Sequence, residues 1–153
     1  PVYMRFGRLA VPVINDESTY KFEIGKGVEL RSGKDITIIA TGLPVSESLE
    51  AAKFLAEDGI DAQVINIHTI KPLDEELVVK AAQATGRVFT VEEHSIIGGL
   101  GSAVMECLAE KNPVKVTRIG VRDTFGESGP AKDLLHKYEL DAEGIYKQIK
   151  AAL

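Results

Sequence analysis

Short apolar runs alternate along this chain with longer segments of helical periodicity, and this alternation restricts the fold more than any other feature of the sequence. The first run covers residues 35–41, Asp-Ile-Thr-Ile-Ile-Ala-Thr, and ends at Gly42. An uninterrupted apolar run of this kind is typical of a strand buried on both faces of a parallel sheet. In residues 46–58 the apolar side chains share one helical stripe and the charged ones another, and Gly59 follows where such a helix ends.

The same cycle of strand and helix then repeats to the end of the chain. We predict further strands at 62–67, 87–92 and 114–119, and further helices at 74–85, 102–110, 130–137 and 142–152. Asp74 and Asp141 occupy the N-cap positions of two of these helices, and Gly86 occupies a C-terminal position. Because strands that alternate with helices form βαβ units, the sequence predicts a three-layer α/β/α sandwich with a mostly parallel sheet of about five strands.

Residues 1–34 do not follow this cycle. Residues 20–30 have the alternation of an edge strand, with Gly25 and Gly27 inside it, and we expect that strand to be antiparallel to its neighbour. Residues 1–17 have the composition of a connector, with a strand fragment at 2–4. We therefore expect residues 1–17 to connect a missing upstream domain to a folded domain at 18–153.

Composition excludes several classes of protein. The length of 153 residues suits one domain of roughly 150 residues. The net charge of −5 comes without a basic stripe, so we expect no binding to nucleic acid or to an anionic membrane. No apolar run approaches the roughly 20 residues of a membrane span. The single cysteine, Cys107, forms neither an internal disulfide nor a zinc cluster, which suits a cytoplasmic protein.

Open parallel sheets bind ligands at the carboxyl ends of their strands, and the stretch 92–102 is the richest of the loops expected there. Its relevant residues are Glu92, Glu93, His94, Gly98, Gly99 and Gly101. Two carboxylates beside an imidazole are suited to acid/base chemistry, for which Glu93 and His94 are the candidates. Glycines before a helix allow backbone N–H groups to hold an anion. The alternative is that the carboxylates are solvated and the glycines only permit a tight loop.

The loop at 122–130 is the second candidate, because it mixes charge, an aromatic ring and two glycines after the last strand. A long loop of this kind favours docking of a partner or an anion, with Asp123 and Ser128 as candidates, over a buried Arg122–Asp123 pair. His68 has no partner at metal-ligand spacing and is interpreted as a hydrogen-bonded packing residue. Cys107 is interpreted as a small core residue, and His136 as a solvated residue among charged neighbours. The residues alone thus give no complete catalytic set and no metal site.

Residues 87–104, Arg-Val-Phe-Thr-Val-Glu-Glu-His-Ser-Ile-Ile-Gly-Gly-Leu-Gly-Ser-Ala-Val, resemble the C-terminal domain of transketolase. Residues 68–74, His-Thr-Ile-Lys-Pro-Leu-Asp, are similar to a motif shared by the whole transketolase-like superfamily. The ending at 123–141 is similar to that of transketolases, and residues 1–8 are similar to the last strand of the preceding pyrimidine-binding domain. The resemblance therefore covers nearly the whole chain.

This resemblance implies the transfer of a two-carbon ketol unit between sugar phosphates, with thiamine diphosphate and a divalent metal (Mg or Ca) in the parent enzyme. The cofactor of that family lies at a dimer interface between two upstream domains. We therefore expect this domain to contribute scaffold and homodimer contacts, to bind no cofactor itself and to be inactive alone. By resemblance, Arg8 matches an arginine that binds the sugar phosphate, and Arg5 lies three residues before it.

Other readings stay open. The same superfamily includes the beta subunits of 2-oxo acid dehydrogenases and deoxyxylulose phosphate synthase, and the second is disfavoured by His94. A free-standing module that binds an anion or nucleotide is the alternative from another class. One residue departs from the family pattern: many relatives carry glycine where Glu139 stands, so we expect an unusual helix end there.

Overall fold

Five strands form one mixed sheet, and helices cover both of its faces. The computed structural model describes residues 1–7 and 10–153. In chain order the elements of that part are β1 (Val28–Arg31), β2 (Ile36–Ala40), α1 (Pro44–Glu57), β3 (Ala62–Asn66), α2 (Glu75–Thr85), β4 (Arg87–Ser95), α3 (Leu100–Lys111), β5 (Lys115–Val121), α4 (Ala131–Lys137) and α5 (Ala142–Ala152).

Four strands of the sheet are parallel, and the edge strand β1 runs in the opposite direction. The strand order is β1-β3-β2-β4-β5, with β1 antiparallel to β3 and every other pair parallel. This confirms the predicted α/β/α sandwich and its antiparallel edge strand. The carboxyl ends of the four parallel strands meet at one edge of the sheet, so the loops that follow them are neighbours.

The edge strand is shorter than the strand predicted at 20–30. It begins only at Val28, since the N–H of Gly27 donates to Oδ2 of Asp74 at 3.0 Å. A Cβ atom at Gly27 would lie 2.6 Å from Cδ1 of Ile67, so a larger residue at this position would require that side chain to move. The strand fragment predicted at 2–4 is wrong, because those residues are exposed and pair with no strand in the described part. The division of the chain after residue 17 stays a prediction.

Apolar side chains pack on both faces of the sheet, which explains why the central strands read as uninterrupted apolar runs. On one face Ile38 of β2 packs in a cluster with Leu55 of α1 and Ile149 of α5. On the other face Ile39 packs in a cluster with Leu108 of α3 and with residues of α2. Each fully buried isoleucine or leucine contributes roughly 1.5–3 kcal/mol to folding. Among the described residues, no helix combines the length and the apolar character that crossing a membrane requires.

The predicted helix ends agree with the structure at several positions. The Asp74 carboxylate accepts a hydrogen bond from the N–H of Leu77 at 3.2 Å. The Asp141 carboxylate accepts one from the N–H of Gly144 at 2.9 Å. Both side chains are therefore the N-caps that the sequence predicts. Gly86 ends α2 in the left-handed conformation with φ 67°.

Helix α4 ends on a non-glycine residue in the left-handed region, as expected from the departure at this position. Glu139 has φ 55°, and its N–H donates to the carbonyl of His136 at 3.0 Å. The N–H of Leu140 donates to the carbonyl of Leu135 at 2.8 Å. These two bonds form a Schellman motif, in which glycine usually takes the place of Glu139.

Candidate functional site

The stretch 92–102 lies at the carboxyl end of β4, where a ligand site is expected in a parallel sheet. Its most buried polar group is Glu92, whose side chain is 0% exposed. The Glu92 carboxylate accepts hydrogen bonds from the N–H groups of Leu100 and Gly101, each at 2.8 Å. These are the first N–H groups of α3, so the carboxylate lies at the positive end of the helix dipole.

Glu92 also explains two local differences from the predicted stretch. Helix α3 begins at Leu100 rather than at residue 102, because the carboxylate pairs the N–H groups of its first turn. A Cβ atom at Gly99 would lie 2.0 Å from Oε2 of Glu92, so only glycine fits there. The alternative of a solvated charge is wrong for Glu92. The anion held by these backbone N–H groups is thus a side chain of the chain itself.

Glu93 and His94 follow on the same strand and are only partly buried. Nη1 of Arg5 lies against the His94 ring, in contact with both Nδ1 and Nε2. Because the two ring nitrogens direct their hydrogen-bonding positions away from each other, this contact is not a single directed hydrogen bond. The same Nη1 atom lies 3.9 Å from Oε1 of Glu93. The structure therefore joins the two candidate acid/base residues to a cation from the N-terminal segment.

No sequence pattern predicts this contact, because residues 5 and 94 are far apart in the chain and their pairing follows no periodicity. In the sequence, only its position three residues before Arg8 distinguishes Arg5. Arg8 itself lies outside the described residues. Residues 1–7 are exposed along their whole length, and Tyr3 is 89% exposed.

A distortion of the sheet fixes the direction of Glu93 and His94. The register between β4 and β5 shifts between Val91 and Ser95. Such an irregularity re-aims the side chains of the bulged strand. A Cβ atom at Gly120 of β5 would lie 2.9 Å from the carbonyl oxygen of His94, so the two backbones approach closely here. The pair consequently projects from a part of the sheet where two backbones are closely packed.

The loop at 122–130 lies after β5 and is exposed. Asp123 and Ser128 make no hydrogen bond to Glu93 or His94 within the described part of the chain, so the structure does not bring these candidates together. The buried Arg122–Asp123 pair is also not formed, since both residues are exposed. Phe125 at the tip of the loop is 98% exposed, which leaves an aromatic ring on the surface.

The motif at 68–74 holds a different part of the chain. The rings of His68 and Phe22 stack with centroids 4.7 Å apart, and Nδ1 of His68 lies 2.8 Å from Oγ1 of Thr69. Asp74 caps α2 and also accepts the N–H of Gly27. Burial lowers the pKa of His68. The motif thus anchors residues 22–27 beside α2, and His68 is the packing residue that the sequence predicts.

The remaining titratable candidates have structural surroundings. Burial raises the pKa of the Cys107 thiol, and the nearby Glu75 carboxylate adds to the effect, so this buried cysteine is a poor nucleophile. Nδ1 of His136 lies 2.7 Å from Oδ2 of Asp141 on the protein surface. Within the described residues, no group of three or more His, Cys, Asp or Glu side chains is arranged to hold a metal ion.

A family model and two curated relatives match most of the chain, and all three are described as transketolase domains, subunits or sections. The family model described as "Transketolase, C-terminal domain" matches residues 25–145. The 6-deoxy-6-sulfo-D-fructose transketolase subunit SqwH of Clostridium sp. is 50% identical over 147 residues, which are 96% of this chain and 45% of the relative. A putative transketolase C-terminal section of Methanocaldococcus jannaschii is 49% identical over 151 residues, which are 97% of this chain and 47% of the relative.

A solved structure titled "Split gene transketolase, inactive beta4 tetramer" has a TM-score of 0.90 and 47% identity, and the match covers 95% of this chain and 48% of that one. A 1-deoxy-D-xylulose-5-phosphate synthase of Geobacter sulfurreducens is 42% identical over 158 aligned positions, which cover 100% of this chain and 24% of the relative. The chain thus spans about half the length of the first two relatives, at 45% and 47%.

Proposed function

This chain belongs to the transketolase C-terminal domain family, and we propose that it supplies the C-terminal part of an enzyme that transfers a two-carbon ketol unit between sugar phosphates. The observation that carries the proposal is the 50% identity to a transketolase subunit over 96% of the chain. In the proposed reaction the C2–C3 bond of a ketose breaks and leaves an aldose two carbons shorter. A new carbon–carbon bond joins the ketol unit to C1 of a second aldose.

Enzymes of this family depend on thiamine diphosphate, which supplies an electron sink for the broken carbon–carbon bond. The described residues of this chain do not fit that cofactor. Glu92 already binds the N–H groups at the start of α3, and in the part of the chain that the structure describes no group of three His, Cys, Asp or Glu side chains is arranged for a metal. We therefore place no chemical step of the cofactor on these residues, and propose that the chain provides scaffold and contacts.

The N-terminal segment supports the proposed division into a connector at 1–17 and a domain at 18–153. Six of its large apolar side chains are each more than half exposed, namely Val2, Tyr3, Met4, Phe6, Val11 and Val13, whereas Ile14 packs against the core of the domain. A contiguous group of this kind marks a surface that packs against another part of a protein. We propose that the upstream, thiamine-binding domains of the enzyme cover this segment, and that Arg8 within it binds the anionic end of the sugar.

The solved neighbour is titled an inactive beta4 tetramer, and two relatives are named as subunits or sections. These names support the proposal that the chain is inactive alone, associates with copies of itself and works together with upstream domains. The homodimer expected from the resemblance is the form we propose for the complete enzyme. Analytical ultracentrifugation measures the oligomeric state of the 153-residue chain and that of the complete enzyme.

The decisive experiment combines the chain with the thiamine-binding region and follows ketol transfer from β-hydroxypyruvate to D-ribose 5-phosphate. We expect activity in the combined enzyme and none in the chain alone. Pyruvate with D-glyceraldehyde 3-phosphate tests the deoxyxylulose phosphate synthase alternative, which the 42% identity to that enzyme keeps relevant. Condensation from pyruvate without ketol transfer would overturn the transketolase proposal in favour of that alternative.

A further inference from the structure

We infer that this chain associates with a second copy of itself through the loop at 122–130, and that the Phe125 ring of each copy enters a cavity beside the loop of the other. This inference rests on the proposed function in one respect, because self-association is part of that proposal. It adds the surface and the residues that make the contact.

Phe125 projects from the surface as an aromatic ring without packing partners. It is 98% exposed, more than any other large apolar residue of the described part of the chain. The loop around it is held at two points. Nζ of Lys137 lies 2.6 Å from Oε2 of Glu127, and the Tyr138 hydroxyl donates to the carbonyl oxygen of Phe125 at 3.4 Å. Burial of this ring against a partner would remove a large apolar surface from water.

A cavity of about 220 Å³ lies beside the same loop. Its lining combines side chains of the loop, of α5 and of the end of α4, and includes Arg122, Thr124, Lys137, Tyr138 and Gln148. A cavity of roughly 150 Å³ is large enough to bind benzene, so this one has room for a phenylalanine ring. Phe125 of the same chain does not fill it, since that ring is almost completely exposed.

The lining of the cavity suits an aromatic ring. Arg122 and Lys137 bring cations to it, and a cation is attracted to the face of an aromatic ring. The Tyr138 ring adds an aromatic partner. Lys137 is already paired with Glu127, whereas Arg122 belongs to no ion pair within the described residues. The Arg122 guanidinium is therefore free to stack on an incoming ring.

The presence of a projecting ring and a matching cavity on one surface favours a second copy of the chain as the partner. In a two-fold symmetric interface the same surface faces itself, so each ring meets the cavity of the other copy. The charges of this surface also nearly balance, so two copies do not repel each other there. The charged residues of the stretch 122–139, apart from His136, are Arg122, Lys132 and Lys137 against Asp123, Glu127, Asp133 and Glu139.

The test measures the dissociation constant of self-association for the 153-residue chain by analytical ultracentrifugation. For Phe125→Ser we expect this constant to rise at least about 30-fold, the size expected for loss of a central aromatic residue of an interface. Met105→Gln is the matched control, because it removes an exposed apolar side chain from α3 on the opposite face of the sheet. It should change the constant by less than about twofold, and circular dichroism verifies that both variants are folded.

A second variant fills the cavity. Thr124→Trp places a large ring in its wall and should weaken self-association as Phe125→Ser does, because the ring of the partner no longer fits. When the two variants are mixed, they should associate with each other more tightly than either does with itself. The intact Phe125 ring of the Thr124→Trp chain then enters the open cavity of the Phe125→Ser chain. A merely structural effect of either substitution predicts no such gain.

The outcomes separate this inference from the proposed function. An unchanged dissociation constant for Phe125→Ser, or mixed variants that associate no better than each alone, would overturn the inference only. Loss of self-association in Tyr3→Ser but not in Phe125→Ser would assign the contact to the N-terminal segment and also overturn it. If Phe125→Ser weakened only the binding of the thiamine-binding region, the upstream domains would be the partner instead. A monomeric unsubstituted chain would overturn the inference together with the proposed self-association, whereas ketol transfer by the combined enzyme is measured independently.

Discussion

Glu92 shows how one residue can decide what a whole loop is able to bind. Its carboxylate is fully buried and accepts two backbone N–H groups at the start of α3. A buried carboxylate is tolerated when it is hydrogen-bonded and lies at a helix N-terminus. Because the acceptor comes from the preceding strand, β4 and α3 are joined by the loop and also by this side chain.

Replacing this carboxylate should therefore destabilise the fold. For Glu92→Gln we expect the free energy of unfolding to fall by about 1.5–3 kcal/mol, since one of the two charge-assisted bonds is lost and a buried amide group needs a new partner. Urea denaturation measures the change. Glu93→Gln is the matched control, and we expect it to lose less than about 0.5 kcal/mol because its contact to Arg5 is partly exposed. Equal effects of the two substitutions would contradict this account of Glu92.

Two histidines should have pKa values on opposite sides of the ordinary histidine pKa of 6.5. The hydrogen bond to Asp141 raises the pKa of His136, and burial lowers the pKa of His68. The stabilising contribution of protonated His136 is thus complete below pH 6.5 and is lost as the pH rises through its raised pKa. NMR titration of the ring protons measures both values. Asp141→Asn should return the pKa of His136 towards its ordinary value and leave that of His68 unchanged.

At the scale of elements, the sequence predicts an element boundary well when the residue that sets it is a near neighbour in the chain. It predicts the boundary poorly when that residue comes from another element. Asp74 and Asp141 cap helices through N–H groups three residues ahead, so their role is visible in a short window of sequence. The start of α3 was predicted two residues late, because its cap, Glu92, comes from the preceding strand. The edge strand β1 was predicted too long for the same reason. The Gly27 N–H is bound by a side chain 47 residues away.

The end of α4 offers a test of backbone strain. Glu139 adopts φ 55°, a conformation that costs a residue with a side chain roughly 1–2 kcal/mol relative to glycine. Replacing Glu139 by glycine would remove this cost, but part of the resulting stabilisation is offset by the greater conformational freedom of glycine in the unfolded chain. We expect Glu139→Gly to stabilise the protein by about 0.5–1 kcal/mol, measured by thermal or urea denaturation. Glu139→Ala keeps the strain and should not stabilise; a similar gain for both variants would contradict the explanation.

At the scale of the whole molecule, the alternation of strands and helices sufficed to predict the sandwich, its parallel centre and its antiparallel edge. Such a pattern is repeated along the chain and is insensitive to small errors at each boundary. The contact between Arg5 and His94 depends on how the N-terminal segment lies across the finished sheet. No periodicity of the sequence encodes that path. The sequence therefore predicts that the candidate site lies at the end of β4, but not that Arg5 lies beside it.

The folded domain should tolerate loss of the first ten residues. Residues 1–7 and 10–13 are exposed, whereas Ile14 packs against the core cluster beneath α1 and α5. We expect a chain beginning at residue 11 to lose less than about 1 kcal/mol of stability, measured by urea denaturation. A chain beginning at residue 28 should lose considerably more, because it lacks Ile14, the Phe22–His68 stacking and the Gly27–Asp74 bond. Equal losses for both truncations would contradict the stabilising role of these contacts of residues 14–27.

The buried Glu92 carboxylate has a consequence for phosphate binding at the turn before α3. In a parallel sheet the glycine-flanked turn before a helix is the place where phosphate groups are most readily captured. Here Glu92 already binds the first N–H groups of α3, so these groups are not available to hold a phosphate group. A phosphate group could bind at this turn only if the Glu92 side chain left it, which would also release the first turn of α3.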